Sequence, residues 1–155
     1  VLAPHEIHEE HLRAIESGIK RPSIRLSEYD EAKGLPEGTA CIIIDCFGLL
    51  SSVYRYGTWA YVGGGFGKSV HNTLEAAVYG IPVFFGPEIH KHREVRELVK
   101  RSSGFILHDR AELSQLLQRF SSEEECKALE ARTRAYFSEE CGATAAILSD
   151  ILPSE

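Results

Sequence analysis

The amino-acid sequence predicts an α/β fold in which helices cover a parallel sheet. Strand-like and helix-like segments alternate along the chain, which is the pattern of a parallel sheet with crossover helices. The run "CIIID", Cys41 to Asp45, is apolar and β-branched, as a strand buried on both faces requires. With 155 residues and 43% hydrophobic content, the chain has the size of one globular domain, residues 1–155.

The first part of the chain provides strand and helix candidates in alternation. Gly18 closes the first helix, and the polar loop "DEAKGLPEGTA" separates the second and third strand candidates. In chain order we expect the end of a strand at Val1–Ala3, a helix at Glu6–Ser17, a strand at Ser23–Leu26, a strand at Cys41–Asp45 and a short helix at Leu49–Tyr56.

The middle of the chain continues the alternation. A strand leads through a glycine run into a helix that Gly80 stops, and two further strands flank one more helix. We expect a strand at Trp59–Val62, a helix at Val70–Tyr79, a strand at Pro82–Gly86, a helix at Lys91–Arg101 and a strand at Gly104–Leu107. This order predicts a three-layer, Rossmann-like domain.

The last third of the chain is helical. Ser122 and Glu125 have capping-box spacing at the start of one helix, and core packing explains the apolar stripe along it. The predicted elements are helices at Arg110–Arg119, from Ser122 onward and at Ala143–Leu152, with the stripe at Cys126, Leu129, Thr133 and Tyr136.

Charge and composition exclude several classes of function. The net charge of −6 and the pI near 5.7 argue against a general nucleic-acid surface, although a local basic patch can still receive a small anion. The four cysteines form no C-x-x-C pair, which favours reduced, cytosolic thiols. No apolar run approaches the ~18 residues of a membrane span. The opening "VLAPHE" resembles the tail of a strand, so we expect a soluble piece of a longer protein.

Three polar or glycine-rich clusters follow predicted strands. They are Pro4-His5-Glu6, the run Gly63–Gly67 leading to His71-Asn72, and Gly86-Pro87-Glu88. The carboxyl ends of parallel strands meet at one edge of a sheet, and ligands bind there. The sequence therefore predicts a site at this edge.

The glycine run fits neither standard nucleotide motif. The Walker pattern would need a glycine where Val62 stands, and the dinucleotide pattern fails at Lys68 or Val70. A less regular phosphate site remains, in which backbone amides and a helix beginning near Ser69 face the anion and Lys68 adds a charge. The alternative is a glycine-rich turn needed only for tight packing.

Further polar residues suggest a ribose contact but neither a metal nor a nucleophile. Asn72 and Glu75 share a helix face, where the carboxylate suits a ribose diol; alternatively, Glu75 is solvated and Asn72 caps the turn. The histidines in "HEIHEEH" recur at intervals of three and six, which does not match H-E-x-x-H, and we expect no metal or other cofactor. No motif activates a serine or cysteine.

At this point the residues suggest a family. "APHE", "IDCFGLL", "YRYG" and above all "AYVGGGFGKSVHNTLEAAVYGIPVFFGP" resemble the carboxyl-terminal domain of 3-deoxy-D-manno-octulosonic acid (Kdo) transferases. The resemblance covers roughly residues 1–110. It implies the carboxyl-terminal half of a two-domain GT-B glycosyltransferase, which moves Kdo from CMP-Kdo to a lipid A precursor with inversion, at the cytoplasmic face of the bacterial inner membrane.

The resemblance also implies roles for individual residues. Pro4 and His5 would lie beside the nucleotide, and Asn72 and Glu75 would address phosphate and ribose. The loop residues Gly64, Gly65, Phe66, Gly67 and Lys68 would lie along the phosphate. No catalytic residue is expected here, because the general base, the acceptor site and the membrane-anchoring surface belong to the amino-terminal half of such enzymes.

The chain departs from the family pattern at three places. Many relatives have an arginine between the proline and histidine of the first motif, a glutamate at Leu49 and a proline at Ala76. Two alternatives remain from the residues alone: another GT-B transferase or sugar-nucleotide epimerase that uses a UDP-sugar, and a non-catalytic nucleotide-binding module.

Overall fold

The computed structural model describes residues 1–67 and 69–151. The chain divides into two compact units, Val1–Val53 and Tyr54–Glu155. Each unit has its own parallel sheet, so the predicted strands hydrogen bond in two groups rather than in one continuous sheet.

The first unit contains a small parallel sheet. Strand β1 (Ser23–Arg25) pairs with β2 (Cys41–Ile43). Leu2 forms a bridge to Ile43, so the predicted strand end at Val1–Ala3 contributes this one pairing. The strand at β2 ends before Asp45, whose carboxylate instead accepts hydrogen bonds from the backbone and hydroxyl of Ser27.

Helix α1 (Glu9–Gly18) is held to β1 by an ion-pair cluster. The helix begins later than predicted because His8 is its N-cap, and the His8 ring accepts from the amide of His11 at 3.2 Å. Arg25 contacts Glu9 at 2.6 Å and Glu16 at 2.7 Å. Arg25, followed by Arg13, lowers the pKa of Glu9 to about 2, and Arg25 also lowers the pKa of Glu16.

The first unit ends in irregular and short helical segments. A 3-10 turn follows β1, and a four-residue helix with a second 3-10 turn occupies the place of the helix predicted at Leu49–Tyr56. Their bounds are Leu26–Glu28, α2 at Leu50–Val53, and Tyr54–Tyr56, of which the last belongs to the second unit.

The second unit contains a three-stranded parallel sheet in the order β3-β4-β5. The strands are β3 (Ala60–Tyr61), β4 (Val83–Phe85) and β5 (Gly104–Ile106). Ala60 is in register with Val83, and Val83 with Gly104. The three predicted strands are therefore confirmed in order and direction.

The central strand β4 is buried on both faces, as the prediction of a covered parallel sheet requires. Val83 and Phe85 belong to one apolar cluster, which includes Ala76 and Leu98, whereas Phe84 packs in a second cluster. Alternation along a strand sends successive side chains to opposite faces. Helices thus cover the sheet on both sides, and the α/β prediction is confirmed.

The helices that follow the central strand in the second unit agree closely with the sequence, whereas the helix before it is shorter than predicted. Helix α6 begins where the capping box predicts, with the hydroxyl of Ser122 accepting from the amide of Glu125 at 3.4 Å. The stripe on α6 is mostly buried, since Leu129, Thr133 and Tyr136 are at most 4% exposed. The bounds are α3 at Leu74–Ala77, α4 at Arg93–Lys100, α5 at Arg110–Arg119, α6 at Glu123–Glu140 and α7 at Ala143–Ile151.

Two global expectations are also addressed by the structure. The four cysteines all lie within the described residues, and none is paired. No helix in residues 1–67 and 69–151 combines the length and the apolar composition needed to cross a bilayer.

Candidate functional site

The glycine run leaves β3 in a conformation that only glycine adopts easily. Gly64, Gly65 and Gly67 have φ angles of 84°, 77° and 92°, in the left-handed region that side chains disfavour. A Cβ on Gly64 would also collide with the carbonyl oxygen of Ser69. The loop is therefore shaped by its glycines, as the sequence predicted.

The segments that follow the carboxyl ends of β3 and β4, here called the exits of these strands, contact each other through their backbones. A Cβ on Gly65 would lie 2.8 Å from the backbone of Gly86, and the amide of Glu88 donates to the carbonyl of Gly65 at 2.9 Å. These two exits therefore form one surface at the predicted edge of the sheet. The close approach also supports the packing role that the sequence left open for this turn.

The outer part of the loop is open. Phe66 is 57% exposed, and a Cβ added to Gly67 would meet nothing within 4 Å. Lys68, the predicted cationic contact, lies outside the described residues. A cavity of ≈ 310 Å³ adjoins this part of the loop, lined by Gly67, Ser69, Glu88, His90 and Lys91.

The helix after the loop is shorter than predicted. We expected a helix at Val70–Tyr79 starting near Ser69, but α3 spans only Leu74–Ala77. The amide of His71 donates to the carbonyl of Gly63, and the side-chain oxygen of Asn72 accepts from the amide of Leu74, so these contacts keep the preceding segment out of the helix. The prediction of a helix dipole facing a phosphate at Ser69 is therefore wrong.

Asn72 and Glu75 are joined directly. The amide nitrogen of Asn72 donates to the carboxylate of Glu75 at 2.8 Å, while its oxygen caps the turn at Leu74. Burial first, and the charge of Glu75 second, raise the pKa of Tyr54. Asn72 is exposed and Glu75 is half-buried, so the pair remains accessible to a ligand.

A hydrogen-bonded chain that the sequence did not indicate runs beside the cavity. The Ser69 hydroxyl lies 2.6 Å from Nε2 of His92, and Nδ1 of His92 lies 3.1 Å from the carboxylate of Glu94. Ser69 and His92 are 23 residues apart, so no local motif links them. The sequence offers no more than two histidines, His90 and His92, on either side of Lys91 as a signal for this contact.

The first predicted cluster belongs to the other unit. Pro4 and His5 follow the bridge at Leu2, with Pro4 half-buried and His5 exposed. Nearby, His8 lies 3.2 Å from the carboxylate of Glu6. Among the described residues, no three histidine, cysteine, aspartate or glutamate side chains come together in a way that could hold a metal ion.

Comparison with known proteins shows a consistent set of relatives, although no family model matches. The chain is 32% identical over 133 residues to a 3-deoxy-D-manno-octulosonic acid transferase of Aquifex aeolicus, covering 84% of this chain and 36% of that protein. It is 28% identical over 123 residues to the enzyme of the same name from Chlamydia muridarum, covering 75% of this chain and 26% of the relative. The chain thus spans between about a quarter and about a third of the length of these two relatives.

A solved structure shares the fold. The C-terminal CMP-Kdo binding domain of WaaA from Acinetobacter baumannii superposes with a TM-score of 0.68 at 21% identity, over 81% of this chain and 66% of that chain. This likeness confirms the predicted Rossmann-like fold of a GT-B carboxyl-terminal domain.

Proposed function

Because this chain is homologous to the carboxyl-terminal part of the Kdo transferases, we propose that residues 1–155 form the donor-binding domain of such an enzyme. The donor is CMP-Kdo, and the complete enzyme is an inverting glycosyltransferase of lipopolysaccharide synthesis. The observation that carries the proposal is the 32% identity over 84% of the chain to a transferase of that name. The binding activity stated for the structural neighbour supports the same donor.

The loop after β3 is the proposed phosphate contact. Gly64, Gly65, Phe66 and Gly67 form this turn, in which the three glycines have positive φ angles. Gly64 and Gly65 pack against the backbones of Ser69 and Gly86, so the close approach of an anion is proposed at the open part of the turn, at Phe66 and Gly67. Lys68 is the proposed cationic contact within the same loop. Backbone amides hold a phosphate without a metal, and the proposal therefore includes no cofactor.

The remaining contacts involve the nucleoside. Glu75 is proposed to accept hydrogen bonds from the ribose hydroxyls, with Asn72 holding the carboxylate at 2.8 Å and reaching the phosphate. Pro4 and His5 are proposed to lie beside the nucleotide. Two of the departures from the family pattern differ in burial, since Ala76 is fully buried in the core and Leu49 is 40% exposed.

The chemistry assigned to this domain is stabilisation of the leaving group. Departure of CMP develops negative charge on its phosphate, and preorganised donors lower the barrier by meeting that charge. The general base, the lipid A precursor site and the membrane-contacting surface are assigned to the amino-terminal half of the complete enzyme, which acts at the cytoplasmic face of the inner membrane. The chain alone is expected to bind CMP and to transfer no sugar.

Calorimetric titration of the chain with CMP, UMP and UDP tests the proposal. We expect measurable binding of CMP and weaker binding of UMP, since the donor carries cytosine. Tighter binding of UDP would instead favour a GT-B enzyme or epimerase that uses a UDP-sugar. Sugar transfer by the chain alone would contradict the assignment of the general base to another domain, and equal binding of all three would favour a non-catalytic nucleotide-binding module.

A further inference from the structure

The chain of hydrogen bonds from Ser69 through His92 to Glu94 has no part in the function proposed so far. Its two distances, 2.6 Å and 3.1 Å, are those of formed hydrogen bonds. Ser69 lines the cavity beside the glycine loop, and the His92 side chain is 31% exposed. A hydroxyl that lines this cavity is thus hydrogen bonded to an imidazole that solvent can reach.

The chemistry of the three groups determines which of their atoms carry protons. An ionised carboxylate only accepts hydrogen bonds, so Nδ1 of His92 must carry a proton toward Glu94. In the neutral ring Nε2 is then bare and accepts the hydroxyl proton of Ser69. In the doubly protonated ring Nε2 donates to the Ser69 oxygen, and the hydroxyl proton is free to point elsewhere. The charge of His92 thus decides whether Ser69 can donate to a ligand.

The cavity wall and the start of α4 carry both positive and negative charges. Glu88 is paired with His90 at 3.3 Å on the cavity wall, and Arg93 of α4 is paired with Glu140 of α6 at 3.5 Å. Glu94 contacts His92 directly, the cavity wall carries Glu88, His90 and Lys91, and Arg93 follows His92 at the start of α4. An anion that enters the cavity adds negative charge near the imidazole, which favours its protonated form.

We propose that Ser69 donates its hydroxyl proton to the phosphodiester of the bound donor, and that binding is accompanied by uptake of one proton on His92. His92 is a positioning residue, since it acts on the ligand through Ser69, and Glu94 holds its ring. This inference rests on the proposed donor-binding function. It adds a contact and a pH dependence that the glycine loop alone would not produce.

The probe that tests this is the methyl ester of CMP, a phosphodiester whose phosphate stays singly charged over the range in which histidine titrates. Its affinity for the chain is measured by calorimetry from about pH 5.5 to about pH 8.5. We expect tighter binding as the pH falls, by at most about tenfold per pH unit for a single proton. Buffers with different ionisation heats should report uptake of about one proton per ligand bound.

Variants separate this role from a structural one. The affinity of His92→Phe should vary less with pH than that of the wild type, although His90 also lines the cavity and His5 is proposed to lie beside the nucleotide. Ser69→Ala should lose the same part of the proton uptake. Ser69→Thr retains the hydroxyl and should restore it. His108→Phe is the matched control, because His108 pairs with Glu112 at 3.0 Å on α5 and should leave the pH dependence of the wild type unchanged.

The outcomes distinguish a failure of this inference from a failure of the donor-binding function on which it rests. If the wild-type chain does not bind the probe at any pH, the donor-binding function fails and this inference fails with it. Binding without pH dependence, or a pH dependence in His92→Phe or in Ser69→Ala as large as that of the wild type, overturns the role of His92 alone. If His92→Phe does not fold, the comparison of proton uptake between Ser69→Ala and Ser69→Thr decides whether the inference holds.

Discussion

The exits of β3 and β5, two strands of the same parallel sheet, satisfy their backbone groups by different means. After β5 the chain enters α5 at once, and the side chains of Asp109 and Glu112 accept from backbone amides of the first turn and of His108. After β3 the chain passes through positive-φ glycines, and α3 begins only at Leu74. A cavity adjoins each exit, of ≈ 310 Å³ at the glycine loop and of ≈ 470 Å³ beside Gly104, Ile106 and His108. The exits differ in their backbones, because side chains occupy the first amides of the capped exit, whereas the glycine loop is open at Gly67. The difference indicates which of the two exits, at the same end of the sheet, is better suited to an anionic ligand.

The largest effect is expected where the glycine exit meets its neighbour. Gly65→Ala would force a Cβ to within 2.8 Å of the Gly86 backbone at a φ of 77°. Overpacking costs about 1–3 kcal/mol, and the left-handed conformation adds about 1–2 kcal/mol. We expect the free energy of unfolding, measured in urea, to fall by roughly 2–5 kcal/mol.

Gly67→Ala is the control for that substitution. Gly67 has a similar φ of 92° but an added Cβ would meet nothing within 4 Å, so only the conformational cost of about 1–2 kcal/mol applies. Equal destabilisation by the two substitutions would show that the backbone contact between Gly65 and Gly86 does not stabilise the glycine exit.

A smaller effect, on binding rather than folding, is expected at Glu75. Hydrogen bonds to a charged group contribute about 1.5–3 kcal/mol. Glu75→Gln should therefore weaken CMP binding by roughly ten- to a hundredfold and leave thermal stability nearly unchanged. The wild type should prefer CMP over 2′-deoxy-CMP, and the variant should lose most of this preference.

Glu112→Gln provides the matched control at the capped exit. The carboxylate of Glu112 accepts a hydrogen bond from the amide of His108 at 2.8 Å. Its hydrogen-bond partner is therefore a group of the protein and not the proposed ligand. Its replacement should leave CMP binding unchanged. A full preference for CMP in Glu75→Gln would mean that another residue contacts the ribose, and unfolding of that variant would make Glu75 structural.

The capped exit should respond in stability alone. Asp109 accepts from the amide of Glu112 at 2.9 Å as the N-cap of α5, and loss of such a cap costs about 1 kcal/mol. Asp109→Ala should lower the free energy of unfolding by that amount, with CMP affinity unchanged, whereas Asp109→Asn should retain most of the stability. Weakened CMP binding in Asp109→Ala would remove the distinction between the two exits.

The sequence predicted elements whose signals are local. The apolar run at β4, the capping box at Ser122 and the stripe on α6 all match the structure, because each depends on neighbours within a few positions. The helix predicted from Val70 was wrong, because its start depends on a contact between His71 and Gly63. That contact requires the loop to turn back, which periodicity does not encode.

The candidate site likewise has some residues with local sequence signals and others that only tertiary structure brings together. The glycine run and the pair Asn72 and Glu75 carry local signals, and the sequence identified them. The hydrogen bond between Ser69 and His92 depends on the neighbouring positions of the exits of β3 and β4, so it became visible only in the folded chain. The glycine run is encoded locally, whereas the contact between Ser69 and His92 depends on tertiary structure.

The smallest effect on stability is expected at Thr73, the N-cap residue of α3 and the counterpart of Asp109. Its hydroxyl makes no cap hydrogen bond, and although the side chain is 1% exposed, the hydroxyl has no hydrogen-bond partner in residues 1–67 and 69–151. A buried, unpaired hydroxyl costs free energy that an apolar group of the same shape does not. Thr73→Val should therefore leave the free energy of unfolding unchanged or raise it by up to about 1 kcal/mol, in contrast to Asp109→Ala. If Thr73→Val destabilises the chain as much as Asp109→Ala does, the hydroxyl has a structural partner and the two exits are alike.

If stability is kept but CMP affinity falls, the unpaired hydroxyl belongs to the ligand site. The glycine exit then keeps an unsatisfied polar group that can bind the donor, and the capped exit has no such group.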